Sequence, residues 1–398
     1  MPQIPSRREF IALLALLFAT IALSIDAMLP ALPEIARALS PDDTNKAQLV
    51  ITSFVLGMGL GTLFAGPLSD AFGRKATIMA GFALYIVAAA ACWAAPSLET
   101  LLIARVVQGI GAAAPRTVSI AMVRDMFKGR EMAQIMSVAM MIFTLVPAVA
   151  PLMGQGVIAL AGWQAIFVTY ILFAMLIMGW FGLRQPETLA VADRRPLSIA
   201  PLLRASMEVL THRIVLISIA AQALTLGMLF AALSSMEGIF DQRFGRAESF
   251  PLWFAVIAVA SMSGSILNAR LVMRLGMRAM VKATYTGLLA VTLVYLVLHE
   301  ADVLPRDLAF YAHILWSIVL FAVMGLTLGN LSALAMEPLG HIAGLAASVT
   351  SAIATVVSVA LAVPVGLMFD GTQGPLLVGV AVYGSLALAL SLGLKTRA

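Results

Sequence analysis

Stretches of about 20 apolar residues follow one another along almost the whole chain, the length that crosses a bilayer core as α-helix. In hydrocarbon every backbone N–H and C=O must be satisfied within the protein, which leaves helices or a closed barrel. A barrel needs short strands of alternating polarity, and the sequence shows no such pattern. Charge is too scarce for a water-facing surface. Asp, Glu, Lys and Arg make up 11% of the 398 residues, against about 25% in soluble domains. The chain therefore reads as an all-α, multi-pass membrane protein.

The pattern predicts twelve spans, at 10–32, 46–66, 76–95, 100–121, 132–156, 164–184, 213–235, 250–272, 279–299, 308–331, 343–367 and 374–394. With the N-terminus cytoplasmic, 18 of the 25 Lys and Arg fall on the cytoplasmic side, among them Arg124, Arg130, Arg270, Arg274, Lys395 and Arg397. Only Arg37, Lys46, Arg243, Arg246 and Arg306 fall outside, and Arg105 and Arg116 lie within spans. Positive loops stay in the cytoplasm, so the bias supports the even span count and places both termini there. Arg7 and Arg8 before the first apolar block resemble the start of a signal peptide. The block is too long for a signal core and leads into further spans, so retention is expected.

The longest connection holds Pro186, Glu187, Asp193, Arg194, Arg195 and Pro196, a helix-breaking composition. It predicts three segments: a first bundle of six helices over 1–184, a cytoplasmic linker over 185–212 and a second bundle over 213–398. A weak repeat agrees. Gly66 to Lys75 (GPLSDAFGRK) and Ala269 to Arg278 (ARLVMRLGMR) each place a small residue seven positions before a glycine and a basic residue two positions after it. Six-plus-six spans with corresponding loops are the pattern of parallel transporter repeats.

Within the first span, Asp26 has no compensating charge nearby in sequence. A carboxyl at membrane depth costs roughly 2.5–3.5 kcal/mol on insertion scales and is rarely kept without a function. A proton or a cation is the natural species for it to handle. At 1.5 Å per residue Asp26 lies roughly 24 Å up the first span, and Arg105, near the start of the fourth, lies at a similar height. Pairing the two would hold the carboxyl ionised, and breaking the pair would let it take up a proton. Arg105, Gln108, Ala112 and Arg116 recur at helical spacing and form one stripe, of which Gln108, Ala112 and Arg116 are candidates to line a substrate cavity. Arg116, about 16 Å below Arg105, either faces a central cavity or snorkels to the interface.

Tyr170, Gln222 and Asn330 are mid-span polar groups suited to lining a cavity or to internal hydrogen bonds. His313, shallow in the tenth span, could titrate but reads as a satisfied structural histidine. Gly57 and Gly61 permit close helix packing. One cysteine, Cys92, excludes an intrachain disulfide and reads as a packing residue. No CxxC or HExxH spacing offers a metal site, and no cofactor is implied. No paired acids, metal triad or Ser–Lys dyad at depth suggests an enzyme, and the net charge of +5 follows from the loops rather than from nucleic-acid binding.

GPLSDAFGRK resembles the major facilitator superfamily loop signature G-x-L-x-D-x-x-G-R-K. LLIARVVQGIGAAA, Leu101 to Ala114, is similar to the superfamily's R-x-x-Q-G-x-G motif. With SIDAMLPALPEI in the first span, the order of features resembles twelve-span drug:proton antiporters, most closely the bicyclomycin and chloramphenicol resistance (Bcr/CflA) branch. The resemblance implies two six-helix bundles around a central cavity, a bacterial inner-membrane location and a monomer exchanging protons for a small-molecule substrate. It also implies that Gly66, Asp70, Gly73, Arg74 and Lys75 form a conformational latch, that the acid at Asp26 is functional and that Arg105 is its partner. The branch leads one to expect a basic residue nearer Ile120 than Arg116.

In the fifth span VPAVAPLMGQG, Val146 to Gly156, resembles the antiporter motif G-x-x-x-G-P-x-x-G-G. It keeps Pro151 and Gly154, with Val146, Ala150 and Gln155 where glycines are usual. Pro147 and Pro151 would bend that helix. The reading is export of an apolar or amphiphilic compound by antiport, and its rival is transport of one specific polar or anionic metabolite.

Overall fold

The computed structural model describes residues 5–198 and 200–394, without the side chains at 133 and 144. Lys395 and Arg397 lie outside the described residues. The described residues hold no strand, and twelve helical segments among them are long and apolar enough to cross a bilayer. The first segment is α1 (Arg7–Asp26), a 3-10 turn (Leu29–Ala31) and α2 (Leu32–Leu39). The second is a 3-10 turn (Thr44–Gln48) followed by α3 (Leu49–Phe72); α4 (Arg74–Trp93) and α5 (Leu98–Met126) are the third and fourth. The fifth is divided into α6 (Gly129–Thr144) and α7 (Val146–Ala161), and α8 (Ala165–Arg184) is the sixth. A connecting helix, α9 (Ala200–Thr211), leads to α10 (Arg213–Gly238), α11 (Phe250–Leu275), α12 (Met277–Glu300), α13 (Arg306–Met336), α14 (Ala343–Leu367) and α15 (Gly374–Leu392).

Two compact units result, Met1–Asp42 with Ser53–Arg204 and Asp43–Thr52 with Ala205–Ala398. In the first, α1 packs on α5, α6, α7 and α8, and α4 packs on α5 and α8. In the second, α10 packs on α13, α14 and α15, α11 on α13, and α12 on α13 and α15.

The ends of these helices follow local chemistry. Ser6 caps α1 by accepting from Glu9 N, and Ser97 with Thr100 forms a capping box on α5. Glu9 also takes two bonds from Arg184 (Nε at 2.7 Å, Nη2 at 2.8 Å) and one from Trp180 Nε1 at 3.0 Å, tying the start of α1 to the end of α8.

Four sequence expectations change. The first span is not one helix over 10–32: α1 stops at Asp26, because Pro30 and Pro33 sit in the first turns of the two pieces that follow. Residues 66–72 of the loop motif are helical, so only Gly73 separates α3 from α4. The fifth span breaks at Leu145, two residues before Pro147, rather than bending smoothly. The linker, read as helix-breaking, contains α9.

Each unit repeats two local devices. Tyr85 OH lies 2.6 Å from Ser24 Oγ in the first, and Tyr285 OH lies 2.6 Å from Thr225 Oγ1 in the second. Added Cβ atoms would collide with backbone at Gly57 (Val106) and Gly109 (Phe54), and likewise at Gly264 (Ala322) and Gly325 (Ser265). The two loops aligned in sequence share a backbone geometry as well, Gly73 at φ 100°, ψ 157° and Gly276 at φ 82°, ψ 155°, a region that favours glycine.

Candidate functional site

Asp26 is the last residue of α1 and is buried, and its carboxylate makes no hydrogen bond or ion pair with a described residue. Met28 N turns back to Ile25 O at 3.2 Å, which leaves the Ser24 carbonyl at the helix end without a backbone donor. Two side chains take it. Arg105 Nη2 donates at 2.9 Å and Tyr170 OH at 3.3 Å. A guanidinium at a helix C-terminus is also favoured by the negative end of the helix dipole.

The expected Asp26–Arg105 ion pair is therefore not formed in this structure. Helical spacing gave the right height, but the guanidinium serves the α1 backbone two residues before the acid. Arg105 is fully buried, with Nη1 donating to Gln108 Oε1 at 2.8 Å and its plane 4.5 Å over the Phe54 ring. Cys92 Sγ reaches the same Gln108 oxygen at 3.8 Å, so Cys92 joins a polar network and is more than packing.

Gln108, Ala112 and Tyr170, expected as cavity candidates, are wholly buried within the first unit. The stripe on α5 divides after Ala112, because Arg116 is exposed and its one recorded polar contact is Nη1 to Met58 Sδ at 3.9 Å. Gln222 and Asn330 are buried in the second unit with internal bonds. Ser332 Oγ donates to Gln222 Oε1 at 3.2 Å, and Asn330 Nδ2 donates to Asn268 Oδ1 and Leu326 O, both at 2.8 Å.

Gly154 on α7 explains its own retention. A Cβ there would overlap the carbonyl oxygen of Ala27, so α7 presses directly on the chain beside Asp26. Pro151 and Ala148 are buried on the same helix, whereas Pro147 lies in its first turn, where a missing N–H leaves no bond unmade.

The loop motif forms a charged cluster around Arg74, whose side chain is largely buried. Arg74 Nη1 pairs with Asp70 and donates to Ser69 Oγ at 2.7 Å, and Nε donates to Asp125 Oδ2 at 2.9 Å. Ser69 in turn donates to the Gly66 carbonyl at 2.9 Å, and Lys75 Nζ donates to Gly182 O at 2.6 Å. Two participants escaped the sequence reading. Asp125 lies in the last turn of α5 with no pattern to announce its partner. Glu187, noted only as linker, accepts from Arg74 N at 2.9 Å and Lys75 N at 3.2 Å, capping α4 where Gly73 offers no side chain. Arg195 N donates to Asp70 O at 3.0 Å, so the linker touches the motif there.

Twelve spans, an arginine motif inside the bundle and this charged turn define a class of secondary transporter, and sequence comparison agrees. Residues 14–391 match the sequence model of the Major Facilitator Superfamily, and the chain belongs to that family. It is a transporter acting on small molecules, not an enzyme. It is 30% identical to an uncharacterized MFS-type transporter, YdgK, of Bacillus subtilis, over 96% of both chains. It is 31% identical to a bicyclomycin resistance protein homolog of Haemophilus influenzae, over 71% of both. The fold is similar to that of a crystallised D-xylose-proton symporter, with a TM-score of 0.74, 12% identity and 96% of both chains covered.

Proposed function

We propose that this protein exports drugs or other small amphiphilic molecules in exchange for protons, as a Bcr/CflA-like antiporter of the bacterial inner membrane. In this reading it works as a monomer with both termini in the cytoplasm. The observation that carries the reading is Asp26: a buried acid at a helix break, with no bonded partner among the described residues. An unpaired carboxylate in such a place is strongly disfavoured, which is a reason for it to bind a proton in one state and release it in another. Arg105 holds the end of α1 through Ser24, and Gly154 sets how closely α7 approaches, so a shift of either helix alters the surroundings of the acid. Relatives named for bicyclomycin, chloramphenicol and multidrug resistance support drug export. The Arg74 cluster is the proposed cytoplasmic switch.

The test is ligand-induced proton release from purified protein over cationic, neutral and anionic compounds. Release should occur with the wild type and vanish in folded Asp26→Asn. Undiminished release from that variant would remove Asp26 from the mechanism.

Arg116 favours a second reading, transport of one polar or anionic metabolite, because its guanidinium meets Met58 Sδ and no carboxylate among the described residues. Proteoliposome uptake assays separate the two. Saturation by one narrow class of anions, lost in Arg116→Ala, would support the metabolite carrier, and transport of varied lipophilic compounds would support the exporter.

A further inference from the structure

His313 on α13 is fully buried in the second unit, and the sequence reading of a satisfied structural histidine does not hold for it. Neither Nδ1 nor Nε2 has a hydrogen-bond partner among the described residues, and Ser317 Oγ, one turn along the same helix, is also buried without one. A neutral imidazole carries one donor and one acceptor, and leaving both unbonded in an apolar interior is unfavourable. The ring is enclosed by aromatic side chains. It stacks on Trp316 with centroids 5.7 Å apart at 27°, and Phe244 at 5.7 Å and Phe240 and Tyr295 at 6.3 Å surround it. Aromatic faces attract cations, which offsets part of the cost that burial places on an imidazolium.

A polar chain leads outward from the enclosure. Gln373 Nε2 lies 3.3 Å from Tyr295 OH and 3.2 Å from His299 Nδ1, and His299 is partly exposed in the last turn of α12. Gln373 Oε1 is a further buried atom without a partner.

We infer that His313 is a second proton-binding site of this transporter, with Ser317 one turn along the same helix and with Tyr295, a wall of its enclosure, bonded through Gln373 towards His299 at the end of the unit. The proton adds from water to the free ring nitrogen and returns to water on release, and no other bond changes. The ionisable groups at this end of the surrounding elements are Glu237 on α10, Asp241 and Arg243 in the turn after it, Arg246 and Glu248 before α11, His299 and Glu300 in the last turn of α12, Asp302 just after it, and Arg306 and Asp307 in the first turn of α13. Arg270 and Arg274 on α11 and Arg278 and Lys282 on α12 lie at the opposite ends of their helices. Arg243 pairs with Asp302 and Arg246 with Asp307. No titratable residue lies on α14. None of these groups is hydrogen-bonded to the imidazole.

Trp316 is the reporter. Protonated imidazole stacked on an indole quenches its emission, so the purified full-length protein is titrated from about pH 8 to about pH 4, bracketing the ordinary imidazole value of about 6.5. The emission component missing in Trp316→Phe should fall reversibly on acidification, should not do so in His313→Gln, and should still do so in His299→Gln. Where His313→Gln does not fold, His313→Asn is titrated in its place. A flat profile, or one unchanged by replacing His313, overturns the inference. So does a titration lost with His299 and kept without His313. No transport enters the measurement, so the same quench is expected in Asp26→Asn, and failure here is distinguishable from failure of the Asp26 reading.

Discussion

Arg105 Nη2 donates to the carbonyl of Ser24 at 2.9 Å, two residues before Asp26 and not to the acid itself. The fourth-span arginine thus acts on the shape of the first span. It fills the bonding capacity exposed where α1 stops, and it is held there by Gln108 and by the Phe54 face. A planar fork is needed for both bonds at once, which a lysine cannot supply.

Arg105→Lys is therefore expected to reach the membrane but to lose transport. Losing one charge-assisted bond is worth roughly 1.5–3 kcal/mol, and a loss of about ten-fold or more in proteoliposome transport corresponds to the lower end of that range. Transport equal to wild type in Arg105→Lys would mean that positive charge alone suffices.

Gly154 offers a test by bulk. Gly154→Ala drives a methyl group into the Ala27 carbonyl, whereas Gly156→Ala, two residues on, meets nothing within 4 Å. The first variant should lose ligand-induced proton release. The second should keep it, with stability unchanged or raised by up to about 1 kcal/mol from the better helix former. Equal behaviour of the two variants would show that the contact with Ala27 is incidental.

Glu187 should matter to the cytoplasmic turn. Glu187→Ala strips the cap from Arg74 N and Lys75 N, which typically costs about 1 kcal/mol. Thermal unfolding in detergent should show a lowered midpoint, with Glu187→Gln partly restoring it because an amide oxygen still accepts. Asp125→Asn should add little to Glu187→Ala if the two act as one cluster on Arg74, since groups sharing a network are not additive. Full additivity would separate them.

Much of this arrangement could be read from the sequence, and the gaps have definite causes. Span number followed from apolar length, and Arg105 and Gln108 were found by spacing on one helix face. What spacing does not give is where a neighbouring helix ends. The signal for the break at Asp26 was present in Pro30 and Pro33, three residues apart in LPALPEI, but apolarity ran through it and suggested a continuous span. Glu187 and Asp125 meet Arg74 only after folding, across 113 and 51 residues, so no local pattern marks them. His313 was read by residue type, and its unbonded state depends on four rings contributed by three separate segments.

The internal repeat supplies the last prediction. Tyr85 and Tyr285 make equivalent 2.6 Å contacts, with Ser24 on α1 and with Thr225 on α10, and both rings are buried. Removing either hydroxyl should cost a similar amount of stability, roughly 0.5–1.5 kcal/mol. The functional consequences should differ, because Ser24 is also held by Arg105 and Tyr170 two residues before the acid, while Thr225 has no carboxylate at the matching position: the residue two beyond it is Gly227. Tyr85→Phe is thus expected to weaken ligand-induced proton release at matched folded protein, with Tyr285→Phe close to wild type. Equal losses in the two variants would assign the tyrosines to packing of each bundle alone, and the hydroxyl at Ser24 would then have no special bearing on Asp26.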